Sequence, residues 1–156
     1  MKVLSIMQPW AMLIVLGVKQ FETRSWSTKH RGQLAIHSSK KIDKFACRQE
    51  PICSLLAKHG YTAKNLPIGV ILATSHLSDC IKVILDTGAS ARLDDGRLVT
   101  GIEYYFGNFS EGRLAWEIQH IKKLDKYIPA KGQLGLWNHT IAASCGTSVR
   151  ALNESL

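Results

Sequence analysis

Apolar and polar positions change period several times along this chain, and each change marks an element. Val3 to Ile6 form a short apolar run that reads as a strand. Gln8-Pro9-Trp10 then opens a helix, because a proline in the first turn lacks only an N–H that would go unsatisfied anyway. Gly17 should end that helix as a left-handed cap. Trp10, Leu13, Ile14 and Val15 give the helix its apolar surface, and core packing is the first reading of each.

From Gln20 to Trp26 the period drops to two. Phe21, Thr23 and Ser25 fall on one face of a strand, and Glu22, Arg24 and Trp26 on the other. A strand from Gln33 to Ser38 follows the Arg31-Gly32 turn, and the two are expected to pair. Helical spacing returns between Lys41 and His59, where Pro51 should divide the stretch into two short helices and Gly60 end the second.

Gly69 to Leu77 reads as a mostly buried strand entered through Pro67, with its exit beginning at Asp79-Cys80. Asp86 to Gly101 is rich in Gly, Asp, Ser and Thr and reads as a long surface loop. Arg113 to Ile121 alternates Leu114, Trp116 and Ile118 against Ala115, Glu117 and Gln119, a half-buried strand, and a short strand near Tyr127-Ile128 follows. KGQLGLWN closes the ordered part, with Trp137 as a core plug. Residues 1–140 are thus expected to be one domain, and 141–156 a C-terminal tail that frays. Short strands with few helices favour an α+β domain with a mostly antiparallel sheet, open or closed, over a doubly wound parallel one.

Composition adds a constraint on partners. The 156 residues are 46% apolar and 21% charged, an ordinary globular mixture long enough to bury a core without disulfides or metals. Lysine and arginine outnumber acidic residues 20 to 12, for a formal charge of +8, which suits phosphate-bearing partners. Cys47, Cys53, Cys80 and Cys145 form neither a CxxC pair nor zinc-ligand spacing with the histidines, so reduced thiols and no metal are expected. The opening MKVLSIMQPWAMLIVLGVKQ is interrupted by Pro9 and reads as neither a signal peptide nor a membrane span. A cytoplasmic setting fits that reading. No glycine-rich phosphate loop is present, and no cofactor is expected.

The segment LSIMQPWAMLIVLGVKQFETRSW, followed by RGQLAIHSSKK, resembles the opening of ASCH (activating signal cointegrator-1 homology) domains, whose hallmark is G-x-K-x-x-E-x-R after a QPW-containing helix. Here it reads Gly17, Lys19, Glu22 and Arg24. IGVILATSHLSDC, FGNFSEGRLAWEI and PAKGQLGLWN resemble later stretches of the family, so the likeness spans roughly residues 3 to 138. It implies a fold similar to the PUA domain, a small β-barrel with flanking helices, and a cleft that takes RNA or another nucleic acid. It also implies alternatives: some bacterial relatives hydrolyse an acetylated cytidine, nuclease activity has been suggested for others, and the eukaryotic namesake belongs to a transcriptional coactivator.

Three ionisable groups, Lys19, Glu22 and Arg24, are positioned to converge on one pocket. The bland alternative is a surface ion-pair network. In a binding role Lys19 and Arg24 contact phosphate, Glu22 accepts from a base or sugar, and Trp10 or Trp26 offers a stacking surface, which favours unpaired RNA or a single nucleotide. Arg31, Lys40 and Lys41 would extend the positive rim. In a catalytic role a buried lysine serves as base or nucleophile for amide hydrolysis or RNA cleavage, with Glu22 and Arg24 assisting. The resemblance argues against that role, because the hydrolase branch has a threonine where this chain has Glu22. Thr23 cannot replace it, since alternation turns it to the opposite face. A protein-interaction module of the coregulator type is the remaining alternative. Glu117 and His37 are secondary candidates for the cleft.

Overall fold

The apolar runs pair into one curled sheet. The computed structural model describes residues 1–140, so the expected fraying of the tail lies outside the described residues. Strand β1 (Lys2–Gln8) leads into helix α1 (Trp10–Val15), followed by β2 (Phe21–Arg24) and β3 (Gly32–Ile42). Two short helices, α2 (Lys44–Arg48) and α3 (Ile52–Lys58), precede the long strand β4 (Val70–Asp86). A small hairpin, β5 (Ala91–Leu93) with β6 (Leu98–Val99), then helix α4 (Gly101–Tyr105), lead to the second long strand β7 (Leu114–Pro129) and to β8 (Leu136–Asn138).

The main sheet runs β2-β7-β4-β3-β1-β8, with β5 and β6 attached to β4. Every pairing is antiparallel except β1 with β3. The architecture is therefore α+β and dominated by its sheet, as expected. Closure into a barrel is not: β2 and β8 end the path without pairing to each other.

The sheet still curls far enough to bring β2 opposite β1. Arg24 on β2 donates to the Ser5 carbonyl on β1 at 2.9 Å, although three strands separate the two along the sheet. Register shifts between β4 and β7 supply the bend, since extra residues in one strand of a pair sharpen its twist. His120, at φ 53°, sits at one of these irregularities and is the one non-glycine positive φ among the described residues.

Three sequence expectations change. The strand at Gln20–Trp26 does not pair with the next one: both edges of β3 are taken, by β1 and β4, so β2 pairs with β7 instead, Glu22 opposite Trp116. The strand after Pro67 does not exit at Asp79-Cys80. It continues to Asp86 because Ile81 and Val83 are buried in a second apolar cluster with Phe21, Leu93, Val99 and Phe109. The stretch 86–101 is not an open loop either, since the β5–β6 hairpin buries Ala91, Leu93 and Val99 in that cluster.

One more boundary differs: the short strand expected near Tyr127-Ile128 is the end of β7, which runs unbroken over Leu114–Pro129. The turns fall where the pattern placed them. Pro9 is the N-cap of α1 and Gly17, at φ 80°, turns the chain after it. Pro51 separates α2 from α3. The main core gathers α1, α2 and α3 against Leu4, Leu34, Leu72, Leu77 and Trp116, all essentially without solvent exposure. Trp137 is buried with Val3, Ala35, Ile71 and Leu124, a plug at one end of the sheet. No helix among the described residues is long and apolar enough to cross a membrane.

Candidate functional site

The gap between β1 and β2 is a cleft of about 600 Å³. Ser5, Ile6 and Met7 line it from β1, Glu22 and Arg24 from β2, and Trp10 from α1. Tyr105, Phe106 and Asn108, from α4 and the loop after it, close the far side with Arg113.

Gln8, the first residue of the QPW motif, explains how the α1 wall is held. It is fully buried, its Oε1 accepts from Met12 N at 2.9 Å and its Nε2 donates to the Pro67 carbonyl at 2.8 Å. One side chain thus satisfies an orphan N–H of the helix start and ties α1 to the segment entering β4.

Lys19, Glu22 and Arg24 do lie together, but not equivalently. Glu22 Oε2 accepts from Arg24 Nη2 at 2.9 Å, and Glu22 Oε1 is 3.9 Å from Lys19 Nζ. Lys19 is buried beneath the cleft wall and is not one of its lining residues. Its ammonium donates to the carbonyls of Phe21 at 2.5 Å and Phe106 at 2.7 Å, and lies 5.9 Å from the centre of the Trp10 ring. Burial holds its pKa below the usual lysine value, opposed by the charges of Glu22 and Glu103. The lysine therefore joins β2, α4 and Trp10 from behind, and Glu22 and Arg24 are the two that face the cavity.

Arg24 retains unused capacity. Nη2 serves Glu22 and Ser5, while Nε is buried with no hydrogen-bond partner. Thr23 points the other way, as alternation requires, its Oγ1 accepting from Asn108 N at 3.0 Å.

The remaining candidates separate clearly. Trp10 borders the cleft while also packing on the main core, with its ring 6.5 Å from Phe106. Trp26 lines no cavity described here; its ring packs edge-on against Trp116 at 4.8 Å, and its carbonyl accepts from Trp116 Nε1. Arg31 is engaged at the loop before β3, donating to the carbonyls of Thr28 and His30 and pairing with Asp79 at 3.3 Å. Glu117 is held by Ser78 and Arg97; the bond from Arg97 first, then that from Ser78, keeps its carboxyl below the usual range against the cost of burial. Lys40 and Lys41 border a second cavity of about 520 Å³, together with His37. The sequence pattern did not point to Ser5, Ser39, Asn108 or Arg113, whose places depend on the sheet's curl and on the loop after α4.

A sheet-dominated α+β domain, curled so that one polar cleft opens between its first two strands, is the class that fold and site define. A model of the ASCH domain matches residues 4–128, and the chain belongs to the ASCH domain family. Over 81 residues, 50% of this chain, it is 37% identical to Activating signal cointegrator 1 of Homo sapiens, and equally to the Mus musculus protein. The match spans 14% of the length of each of those relatives. The crystal structure of ASCH from Zymomonas mobilis aligns over 94% of this chain and 93% of that one, with a TM-score of 0.53 and 11% identity, a likeness of fold alone.

Proposed function

We propose that the protein binds single-stranded RNA or a nucleotide-like ligand in the cleft between β1 and β2. The observation that carries this reading is the Glu22–Arg24 pair on the wall of a cavity of about 600 Å³, with the Arg24 side chain 25% exposed. A fixed carboxylate accepts hydrogen bonds from the amino group of a base or a sugar hydroxyl. The partly exposed guanidinium is suited to a phosphate or carbonyl oxygen. Trp10 and Tyr105 provide aromatic surface, and stacking a base on such a ring contributes about 1–3 kcal/mol. The volume lies within the range of about 300–1,000 Å³ typical of small-molecule sites. A formal charge of +8 and the general link of ASCH domains with RNA support the same reading.

The hydrolase alternative requires Lys19 to present a lone pair to the ligand. Its ammonium instead donates to two carbonyls behind the wall, which favours binding over catalysis. Fluorescence anisotropy with short labelled RNA and DNA strands, across a salt series, tests the proposal. Affinity should fall as salt rises, and Arg24→Gln should weaken it by about tenfold or more. Affinity unchanged in a folded Trp10→Ala/Arg24→Gln variant would overturn the site.

A further inference from the structure

The second cavity shares Ser5, Arg24 and Ser39 with the cleft, so the two adjoin across one wall. Their charges differ. The cleft carries Glu22 with Arg24 and Arg113. The second cavity is bordered by Arg24, Lys40, Lys41 and Lys131, and by no acidic side chain. Lys40, Lys41 and Lys131 form no ion pair among the described residues.

The polar groups on the floor of this cavity satisfy one another. His37 Nε2 faces the Ala130 carbonyl at 2.7 Å and must therefore carry the proton. His37 Nδ1 then accepts from the Ser5 hydroxyl at 2.9 Å, and Ser5 Oγ accepts from Trp137 Nε1 at 3.0 Å. Gly132 lets the loop after β7 lie flat on this network, because a Cβ there would stand 3.0 Å from both His37 Cε1 and Ser5 Oγ. What remains free to meet a ligand is the cationic rim.

We propose that this second cavity is the seat of a terminal phosphate, mono- or polyphosphate, carried by the ligand whose base occupies the cleft. This rests on the binding reading above and narrows it to nucleotides and phosphorylated strand ends. Unpaired lysines gathered without a countercharge repel one another, and an incoming phosphate relieves that repulsion. Arg24, common to both cavities, touches the ligand where base and phosphate meet.

Isothermal titration of the whole chain tests the proposal with three probes. These are inorganic pyrophosphate, each nucleoside against its 5′-monophosphate and triphosphate, and one tetranucleotide with a 5′-phosphate or a 5′-hydroxyl. The phosphorylated member of a pair should bind about tenfold tighter or more. Preference for the free nucleotides identifies a small-molecule ligand, and preference for the tetranucleotide a strand end; both support the seat. Lys40→Ala/Lys41→Ala/Lys131→Ala, three exposed positions whose change should leave the fold intact, should abolish the preference while the unphosphorylated member still binds. Equal affinity within every pair, or pyrophosphate binding that survives the triple lysine variant, would overturn the phosphate seat. If pyrophosphate binds through the lysines but no nucleoside or strand binds at all, the cleft reading fails and the anion seat stands.

Discussion

Glu22 Oε2 accepts from Arg24 Nη2 at 2.9 Å, and the same Nη2 donates to the Ser5 carbonyl at 2.9 Å, so one guanidinium ties a carboxylate to the opposite lip of the cleft. The two residues are next-but-one on β2 and share a face. Glu22→Gln preserves shape and removes the countercharge of both Arg24 and Lys19. It should destabilise the fold by about 1–3 kcal/mol, because a charge-assisted bond is replaced by a neutral one beside two cations. Urea unfolding checks this, and a midpoint equal to that of the unaltered protein would show that solvent already screens the pair.

Lys19 makes a different prediction. Its folded pKa lies below 10.5, chiefly through burial, so between that folded value and 10.5 the unfolded chain binds more protons than the native one. Stability contributed by this group therefore rises with pH across that window. Lys19→Met should remove the rise, and at neutral pH should cost about 1–3 kcal/mol for each of the two carbonyls it strands. Unfolding curves from neutral pH to about 10.5 separate the two effects. A rise in stability that persists in the methionine variant would assign it to other groups.

Trp26 shares alternation with Glu22 and Arg24, yet its ring is spent on Trp116 rather than on the cleft. Trp26→Ala should cost about 2–3 kcal/mol, below the range for a fully buried tryptophan because the side chain is only half-buried. Affinity for nucleotides should change less than about twofold, since stacking falls to Trp10. A large loss of affinity at unchanged stability would return Trp26 to the site.

These residues also show what the sequence could and could not reveal. Period two placed Glu22 and Arg24 on one face, and that holds because alternation is local. It could not separate Lys19 from them, since Lys19 lies before the strand and its direction is decided by the Phe21 and Phe106 carbonyls, the latter contributed from far along the chain. Trp26 lies past the end of β2, where the strict alternation that placed it no longer applies. Chain order suggests that β2 pairs with β3, but sequence neighbours are not spatial neighbours here, since both edges of β3 are occupied. Ser5 and Lys131 left no local signal, because their meeting depends on bends that β4 and β7 make together.

His37 is the residue through which acid should act on the second cavity. Burial, the leading cause, and the nearby His139 lower its pKa below 6.5, against the opposing bond to the Ala130 carbonyl. Between the folded value and 6.5 the native state binds fewer protons than the unfolded chain, so stability falls as pH drops through that window and levels off below it. The slope for this single group cannot exceed about 1.4 kcal/mol per pH unit. Protonation also turns Nδ1 from acceptor to donor, which breaks its acceptance of the Ser5 hydroxyl and loosens the loop that Gly132 lays over it. His37→Gln should flatten the acid limb while lowering stability at neutral pH, where Ser5 and Ala130 lose their partner. Urea midpoints measured on both proteins between neutral pH and about 5 decide the matter, since an acid limb equally steep in the glutamine variant would place the titrating group elsewhere.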